Sequence, residues 1–415
     1  MDCRRPLLRG AAAVSFIAAA AACSSSSSSS ATAPAPLPAG VSTVTFTMTS
    51  TVPASTEAHT CQYLRLPASV GAQSFVVGGK HTYTVGSHHM LLFRTDLAEI
   101  PAGQDAPQDC YEGPSGSVMS HIRGVVYAAQ TPTADASYPD GVGLPLTNQE
   151  VFLMQTHYLN AGDKPLDARV DLTLRVSDGT GVSTRAGVFF FYDPFIDVPI
   201  GAKNARAGMR CLVKNDVTLV SASSHYHKRG NDYAAYLDPP SGAPATTPFY
   251  TSADWDHPKS LAATMTIAAG SRIRFNCGYD NSTGTKEYFQ GQSASDNEMC
   301  MFIGVYYPEM GQTDDFCQTD PDMFGTGTNG CSTAMACLRA CPKVAGAGPF
   351  FVDDCTQKCL VSSCPDSTPK ILAVNTCVKK QCATECADRT SSTCTMCTAS
   401  NCTDVASACA ADACQ

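Results

Sequence analysis

The cysteines of this 415-residue chain are divided very unevenly, and that division limits what it can become. There are 22. Six lie widely spaced between residues 61 and 317, and fourteen crowd into residues 331 to 414. With Cys3 and Cys23 set aside, twenty remain, an even set that suits a disulfide framework in an oxidising compartment. The jump in density marks a boundary near residue 325. A segment as short as 326–415 cannot rely on a large core, so bridges must hold it. Cys337/Cys341, Cys355/Cys359 and Cys382/Cys386 are each four apart, which on a helix places both sulfurs on one face. A small, disulfide-rich, helical module is expected there. Its Cys394-Thr395-Met396-Cys397 has the spacing of zinc and redox motifs, but in an exported chain a structural bridge is the better reading. Spacing leaves the connectivity open.

Residues 1–23 read as an address. Arg4, Arg5 and Arg9 precede a short apolar run, Ala11 to Ala22, too short to span a membrane as a mature helix. Small residues directly before Cys23 resemble a bacterial lipoprotein signal, with Cys23 as the lipidated first residue; an ordinary signal peptide is the alternative. Residues 24–40, rich in Ser, Ala and Pro, form a flexible tether. The expectation is a bacterial cell-envelope protein facing outside the cytoplasm, in the periplasm or on the outer membrane or cell surface. It would touch the membrane only through its lipid. A net charge of −9 argues against a nucleic-acid partner.

Between these ends the text is β. Thr43-Val44-Thr45-Phe46-Thr47-Met48 alternates with period two, and so do Val170, Leu172, Leu174 and Val176. Gly187 to Tyr192 is an apolar run consistent with a buried strand. Turn clusters such as Ala161-Gly162-Asp163-Lys164-Pro165 separate such runs. The pattern repeats after residue 196. An all-β core of two tandem antiparallel β-sandwiches, 41–195 and 196–325, is the simplest architecture.

Chemistry concentrates in a few short stretches. Gly86-Ser87-His88-His89-Met90-Leu91-Leu92-Phe93 opens a strand with two adjacent histidines. A regular strand would aim them oppositely, so sharing one ion needs a strand end or a bulge. His157 follows an apolar segment and can complete a three-imidazole set. His225 and His227 are two apart, so both leave one strand face. Met299 offers a thioether, a soft donor that favours Cu(I) over zinc or magnesium. Singly, each is weak: a lone histidine is more often a hydrogen-bonded residue, and a lone methionine is packing. A zinc hydrolase can also use three histidines, but it leaves Met299 without a role and offers no obvious paired general base.

The order of these stretches resembles the copper type II ascorbate-dependent monooxygenases, the family of peptidylglycine α-hydroxylating monooxygenase and dopamine β-monooxygenase. The segment 88–93, Gln155-Thr156-His157-Tyr158, the pair His225 and His227, Asp296-Asn297-Glu298-Met299-Cys300 and Pro321-Asp322-Met323-Phe324 are each similar to a family motif, in the family's order. The likeness runs from about residue 43 to 325.

The resemblance implies two jelly-roll sandwiches facing across a solvent-filled cleft, with two copper ions per chain. His88, His89 and His157 would hold the first copper, which relays an electron. His225, His227 and Met299 would hold the second, where dioxygen meets a small-molecule substrate, and these three are the catalytic set. One oxygen atom would enter a substrate C–H bond and the other would leave as water. Ascorbate, or another one-electron reductant, would supply electrons. The same resemblance pairs Cys61 with Cys110, Cys211 with Cys317 and Cys277 with Cys300.

Ser223, Met301 and Ile303 share a strand face with nearby ligands by period two, which makes them substrate-pocket candidates. Peptide-amidating members have an arginine, an asparagine and a tyrosine there to grip a carboxylate. These three residues cannot make that clamp, so a less polar substrate is expected. A non-catalytic copper-binding or copper-buffering envelope protein is the second reading. His257 resembles a family His-Pro segment and is assigned a structural role, whereas His59, His81 and His121 read as solvated or hydrogen-bonding. A protein or surface partner for the module at 326–415 stays open.

Overall fold

The computed structural model describes residues 36–112, 118–193, 196–311, 315–317, 325, 327–341, 354–382, 384–388 and 390–414. The leader with Cys23, residues 24–35 of the tether and the segment 321–324 lie outside them.

Residues 41–185 build two facing sheets. One runs in the order Val41–Val52, Leu166–Ser177, Ser74–Tyr83, Val142–Leu146 and Thr184–Arg185, with Thr133–Ser137 paired to Ser74–Tyr83. The other runs Gln108–Asp109, Thr56–Arg65, Val151–Asn160, Ser87–Thr95 and Ile122–Ala129. The alternating text is the cause. Val44, Phe46 and Met48 are buried while Thr43, Thr45 and Thr47 are exposed. Phe46 meets Phe152 of the opposite sheet edge-on at 5.9 Å.

The second sandwich sets Gly187–Tyr192, Cys300–Tyr307, Val217–Tyr226 and Leu261–Ile267 against Ala205–Leu212, Arg272–Tyr279, Gly230–Asp238 and Tyr250–Ser252. A ribbon of Asp197–Val198 and Tyr288–Phe289 accompanies them.

The strand Gly187–Tyr192, grouped with the first sandwich in the sequence reading, is instead hydrogen-bonded to Cys300–Tyr307 of the second. It is apolar throughout because both its faces are covered. Phe189 and Phe191 enter the second core, while Val188, Phe190 and Tyr192 pack against the first. Phe190 meets Phe93 edge-on at 6.2 Å, and Met301, Ile303 and Val305 join the same seam. Full burial of one such side chain contributes roughly 1.5–3 kcal/mol, so the seam favours closure of the two sandwiches.

The C-terminal region carries the helices Cys331–Ala340, Asp354–Val361, Thr368–Gln381, Ser392–Asn401 and Thr403–Ala410. Cys331–Cys409, Cys337–Cys359, Cys341–Cys355, Cys364–Cys414, Cys377–Cys402, Cys382–Cys397 and Cys386–Cys394 are bridged. Only one of the three four-residue pairs, Cys355 and Cys359, lies wholly inside a helix. Cys341 and Cys382 cap helices that stop one residue earlier. Cys394 and Cys397 bond to different partners rather than to each other. Ala334, Leu338, Leu360 and Ile371 share a core with the second sandwich, and Lys358 reaches Glu287 at 3.4 Å. The ten disulfides suit a protein that lives outside the cytoplasm. Among the described residues no helix is long and apolar enough to cross a membrane.

Candidate metal centre

Three adjacent strands of the first sandwich lay imidazoles side by side. His59, His157 and His89 are cross-strand partners in register. Along Val151–Asn160, Phe152 and Met154 turn into the core, so Leu153, Gln155 and His157 turn towards the second sandwich. His88 would by alternation point away from this row. The ladder shifts between Ser87 and His89, a bulge that follows Gly86 at φ 107°. The Ser87 hydroxyl fastens it, 2.9 Å from the carbonyl oxygen of His89 and 3.2 Å from that of His157. Both neighbouring histidines thereby reach one cluster, with ring centroids 5.4 Å apart.

The second sandwich supplies His225 at the end of Val217–Tyr226 and His227 just beyond, rings 5.4 Å apart. Met299 directly precedes Cys300–Tyr307, and its carbonyl oxygen accepts from the Tyr279 hydroxyl at 2.7 Å. Disulfides join Cys277 to Cys300, Cys61 to Cys110 and Cys211 to Cys317. Glu298, fully buried, accepts from Arg229 at 2.9 Å, and burial pushes its pKa up to about 7 against that pull. The Arg229 guanidinium lies over the Tyr288 ring at 3.3 Å.

Hydrogen bonding sets which ring nitrogens remain for an ion. The amide nitrogen of Gln130 donates to the Ser224 carbonyl at 2.6 Å, leaving its oxygen to accept from Nδ1–H of His225 at 2.6 Å. The Asn297 carbonyl accepts from Nδ1–H of His227 at 3.2 Å, so Nε2 keeps the lone pair. Nε2–H of His157 donates to Glu57 at 2.7 Å, so Nδ1 keeps it there. Nδ1 of His157, Nε2 of His227 and Nε2 of His88 have no hydrogen-bond partner, nor has either ring nitrogen of His89; Nδ1 of His88 makes no hydrogen bond but faces the Asp256 carboxylate. Orphaned buried nitrogens are costly, and metal coordination satisfies several at once. Imidazoles with a thioether nearby fit copper.

The two sets are not held apart across an open cleft, as the resemblance implied. His88 lies 4.8 Å from His225 and 5.6 Å from His227, and His89 lies 5.0 Å from His225, all between ring centroids. One ligand atom from each of His88, His89 and His225 falls within 4.8 Å of the others. None of the five rings is more than 6% exposed. The apolar seam is the physical reason, since its burial draws the two histidine faces together. From the second sandwich Trp255 covers His88 at 5.2 Å between rings, and Asp256 stands 3.5 Å from its Nδ1. Burial holds the pKa values of His89, His157, His225 and His227 well below the ordinary imidazole value, and neighbouring rings press them lower. These four are therefore neutral near pH 7, as ligands must be.

Beside the cluster lies a cavity of about 50 Å³. Leu91, Phe93, Phe190, Tyr192, Met301 and Ile303 line it, and His89, His225 and Met299 form part of its wall. Ser223 is not in that lining, although it pairs across strands with Ile303. His81 bonds Tyr127 and the Thr131 carbonyl, His121 bonds Asp96, and His257 contacts Asp256. His59 makes its hydrogen bond, to the Gln292 carbonyl at 3.1 Å, but also stacks on His157 at 3.9 Å. Glu57, Gln130, Trp255 and Asp256 were not singled out from the sequence. For Glu57 a signal existed: with His59 and Cys61 it marks one face of a strand.

The fold and this cluster define a two-sandwich protein with a histidine-rich centre at the seam. Residues 44–165 match the family model for the copper type II ascorbate-dependent monooxygenase N-terminal domain, and residues 191–324 match that for the C-terminal domain. The chain belongs to the copper type II ascorbate-dependent monooxygenase family. No curated protein matches it. Among solved structures it is similar to PNGase F, a glycosylasparaginase from Flavobacterium meningosepticum, at 10% identity over 64% of this chain and 94% of that one, with a TM-score of 0.24. It is also similar to an archaeal virus protein described by its triple jelly-roll fold and turret assembly, at 9% identity over 62% and 58%, with a TM-score of 0.17. Likenesses this shallow say nothing of what the chain does.

Proposed function

We propose that the protein is a copper-dependent monooxygenase that hydroxylates a C–H bond of a small, weakly polar substrate. The observation that carries this reading is the cluster of buried, orphaned ring nitrogens, with His89 and His225 in the wall of a largely apolar cavity. His88, His89, His157, His225, His227 and Met299 would hold two copper ions per chain. Copper, when bound, cycles between its +1 and +2 states and so handles single electrons. The balance is one C–H bond, one dioxygen, two electrons and two protons giving one C–OH and one water, with ascorbate or a similar reductant as donor.

The chain's own residues supply orientation and exclusion of water. Gln130 and the Asn297 carbonyl fix the tautomers of His225 and His227, and Glu57 fixes that of His157. Phe93, Phe190, Met301 and Ile303 offer a substrate apolar surface and no positive charge. Gln130, Gln155, Gln290 and Gln292 add amide groups to the wall but no cation, so a terminal carboxylate would be buried there without a counter-charge, which is costly. We place the protein in the cell envelope, held by lipid on Cys23, with the C-terminal module available to a protein or surface partner.

The test uses protein lacking residues 1–40, loaded with copper, and its Met299→Ala variant. Trp255, the one tryptophan, should lose emission as Cu(II) binds near His88. Two coppers per chain and ascorbate-driven oxygen uptake that depends on a small apolar or aromatic substrate, lost in the variant, are expected. Copper held without such uptake would favour copper buffering instead. Hydroxylation of a glycine-extended peptide, lost in Met299→Ala, would overturn the substrate reading.

A further inference from the structure

We infer that Glu57 is a positioning residue that couples the seating of His157 to the docking of the loop that carries Met299. The inference rests on the functional reading above, in which His157 and Met299 are ligands. Glu57 lies on the strand Thr56–Arg65 of the first sandwich. Its Oε1 accepts from Nε2–H of His157 at 2.7 Å and from the Ala294 amide at 2.6 Å. Its Oε2 accepts from the Ser293 hydroxyl at 2.8 Å and the Ser295 amide at 3.3 Å. One carboxylate thus grips a histidine of its own sandwich and three successive residues of the other.

Those three residues form a tight turn. The Asn297 amide donates to the Ser293 carbonyl at 2.9 Å, and the Ser293 oxygen also accepts from the Asp296 amide at 2.9 Å. The turn leads directly to Asn297, whose carbonyl holds His227, and on to Met299. Two residues along the same strand, His59 grips the Gln292 carbonyl and stacks on His157. A carboxylate accepting four hydrogen bonds has no capacity left for a metal, so Glu57 is a clasp and not a ligand. Its charge is matched by oriented donors from both sides, which makes the bonds strong and mutually dependent. Seating His157 with Nδ1 towards the cluster and docking the turn are then one event. Copper at the centre and closure of the seam should therefore favour each other reciprocally.

The experiment compares wild-type protein with Glu57→Gln, which keeps the shape but replaces one acceptor oxygen with an NH2 group, and with Ser293→Ala, which removes the hydroxyl's bonds to Glu57 and from the Ser295 and Asp296 amides but leaves His157 and the Ala294 and Ser295 amides on Glu57. Copper affinity is read by competition with a chelator, histidine coordination by EPR, and docking of the turn by amide exchange at Ala294 and Ser295 with and without copper. In wild-type protein copper should slow exchange at both amides. Glu57→Gln should lose about 10- to 100-fold in copper affinity, the usual effect of removing a partner behind a metal ligand. It should also alter the EPR signature and abolish the copper-dependent slowing. Ser293→Ala should keep that slowing. If Glu57→Gln fails to fold, Glu57→Asp, one methylene short of spanning both sides, should give the same loss. Faster exchange at Ala294 with unchanged copper affinity would reduce Glu57 to a structural clip and overturn the coupling. So would a Glu57→Gln protein that matches wild type throughout. Wild-type protein that takes up no copper overturns the functional reading, and the coupling falls with it.

Discussion

Gln130 and His225 belong to different sandwiches and are joined by a 2.6 Å hydrogen bond, the amide oxygen accepting from Nδ1–H of the imidazole. The same amide donates to the backbone beside that histidine, so its orientation is locked from both ends. Gln130→Leu would take one donor from the Ser224 carbonyl, which keeps the Ser223 hydroxyl at 3.5 Å, would leave a His225 ring nitrogen without its partner and would release the His225 tautomer. Copper affinity should fall about 10-fold or more. Chelator competition measures this. An unchanged affinity would mean that His225 is oriented by its strand alone.

The cavity separates substrate turnover from copper binding. Ala129 lines it and is buried. Ala129→Leu should fill most of its roughly 50 Å³ at a stability cost of about 1–3 kcal/mol for overpacking. Copper per chain should not change, while substrate-dependent oxygen uptake should fall at least about 10-fold, the lower end for blocking an apolar subsite. Uptake that survives would place the reacting substrate elsewhere.

Much of this was readable in the sequence, and what was not has physical reasons. Period-two patterning identified Val44, Phe46 and Met48 as core, because alternation is a one-dimensional signal of a two-faced sheet. The requirement for a strand end or a bulge at His88 and His89 followed from the same rule, and there the ladder shifts one residue into the strand that starts at Ser87. The closed seam was invisible because Gly187–Tyr192 looks the same whether it is buried in one core or between two. Gln130 and Glu57 were invisible for another reason. Each acts across more than 90 residues of separation, and nothing local marks a side chain whose partner lies on another sheet.

Acidity should loosen the metal-free centre. His89, His157, His225 and His227 have pKa values well below that of an unfolded histidine, about 6.5. Below that pH the unfolded chain binds protons that the folded chain refuses. Stability is therefore full above about pH 6.5 and falls as the pH drops towards the depressed folded values, by up to about 1.4 kcal/mol per pH unit for each ring. Glu298 acts in the opposite sense, since a pKa raised to about 7 makes the folded state bind more protons than the unfolded one between 4.5 and 7. The net expectation is a steep fall in the Tm of copper-free protein between pH 7 and 5. His225→Gln, which removes one titrating ring, should have a shallower fall. Equal slopes would mean that His225 titrates alike in both states.

The disulfide beside Met299 should matter to the metal as well as to the fold. Cys277–Cys300 closes a span of 23 residues, and Cys377–Cys402, in the C-terminal module, closes one of 25. Loops of such similar length restrict the unfolded chain almost equally, so removing either bridge through paired alanines should cost a similar amount, about 2–4 kcal/mol. Their native surroundings differ. Cys300 is the residue after Met299, and Tyr279, two residues from Cys277 on the facing strand, holds the Met299 carbonyl. Without the bridge that strand end loses its covalent tie to the neighbouring sheet and keeps the Tyr279 hydrogen bond named above. Cys277→Ala with Cys300→Ala should therefore lower Cu(I) affinity, whereas Cys377→Ala with Cys402→Ala should lower only the melting temperature. Thermal melts of copper-free protein and Cu(I) competition on both variants give the comparison. Equal effects on copper would show that the bridge acts on stability alone and that Met299 is held by Tyr279 and the buried Glu298–Arg229 pair.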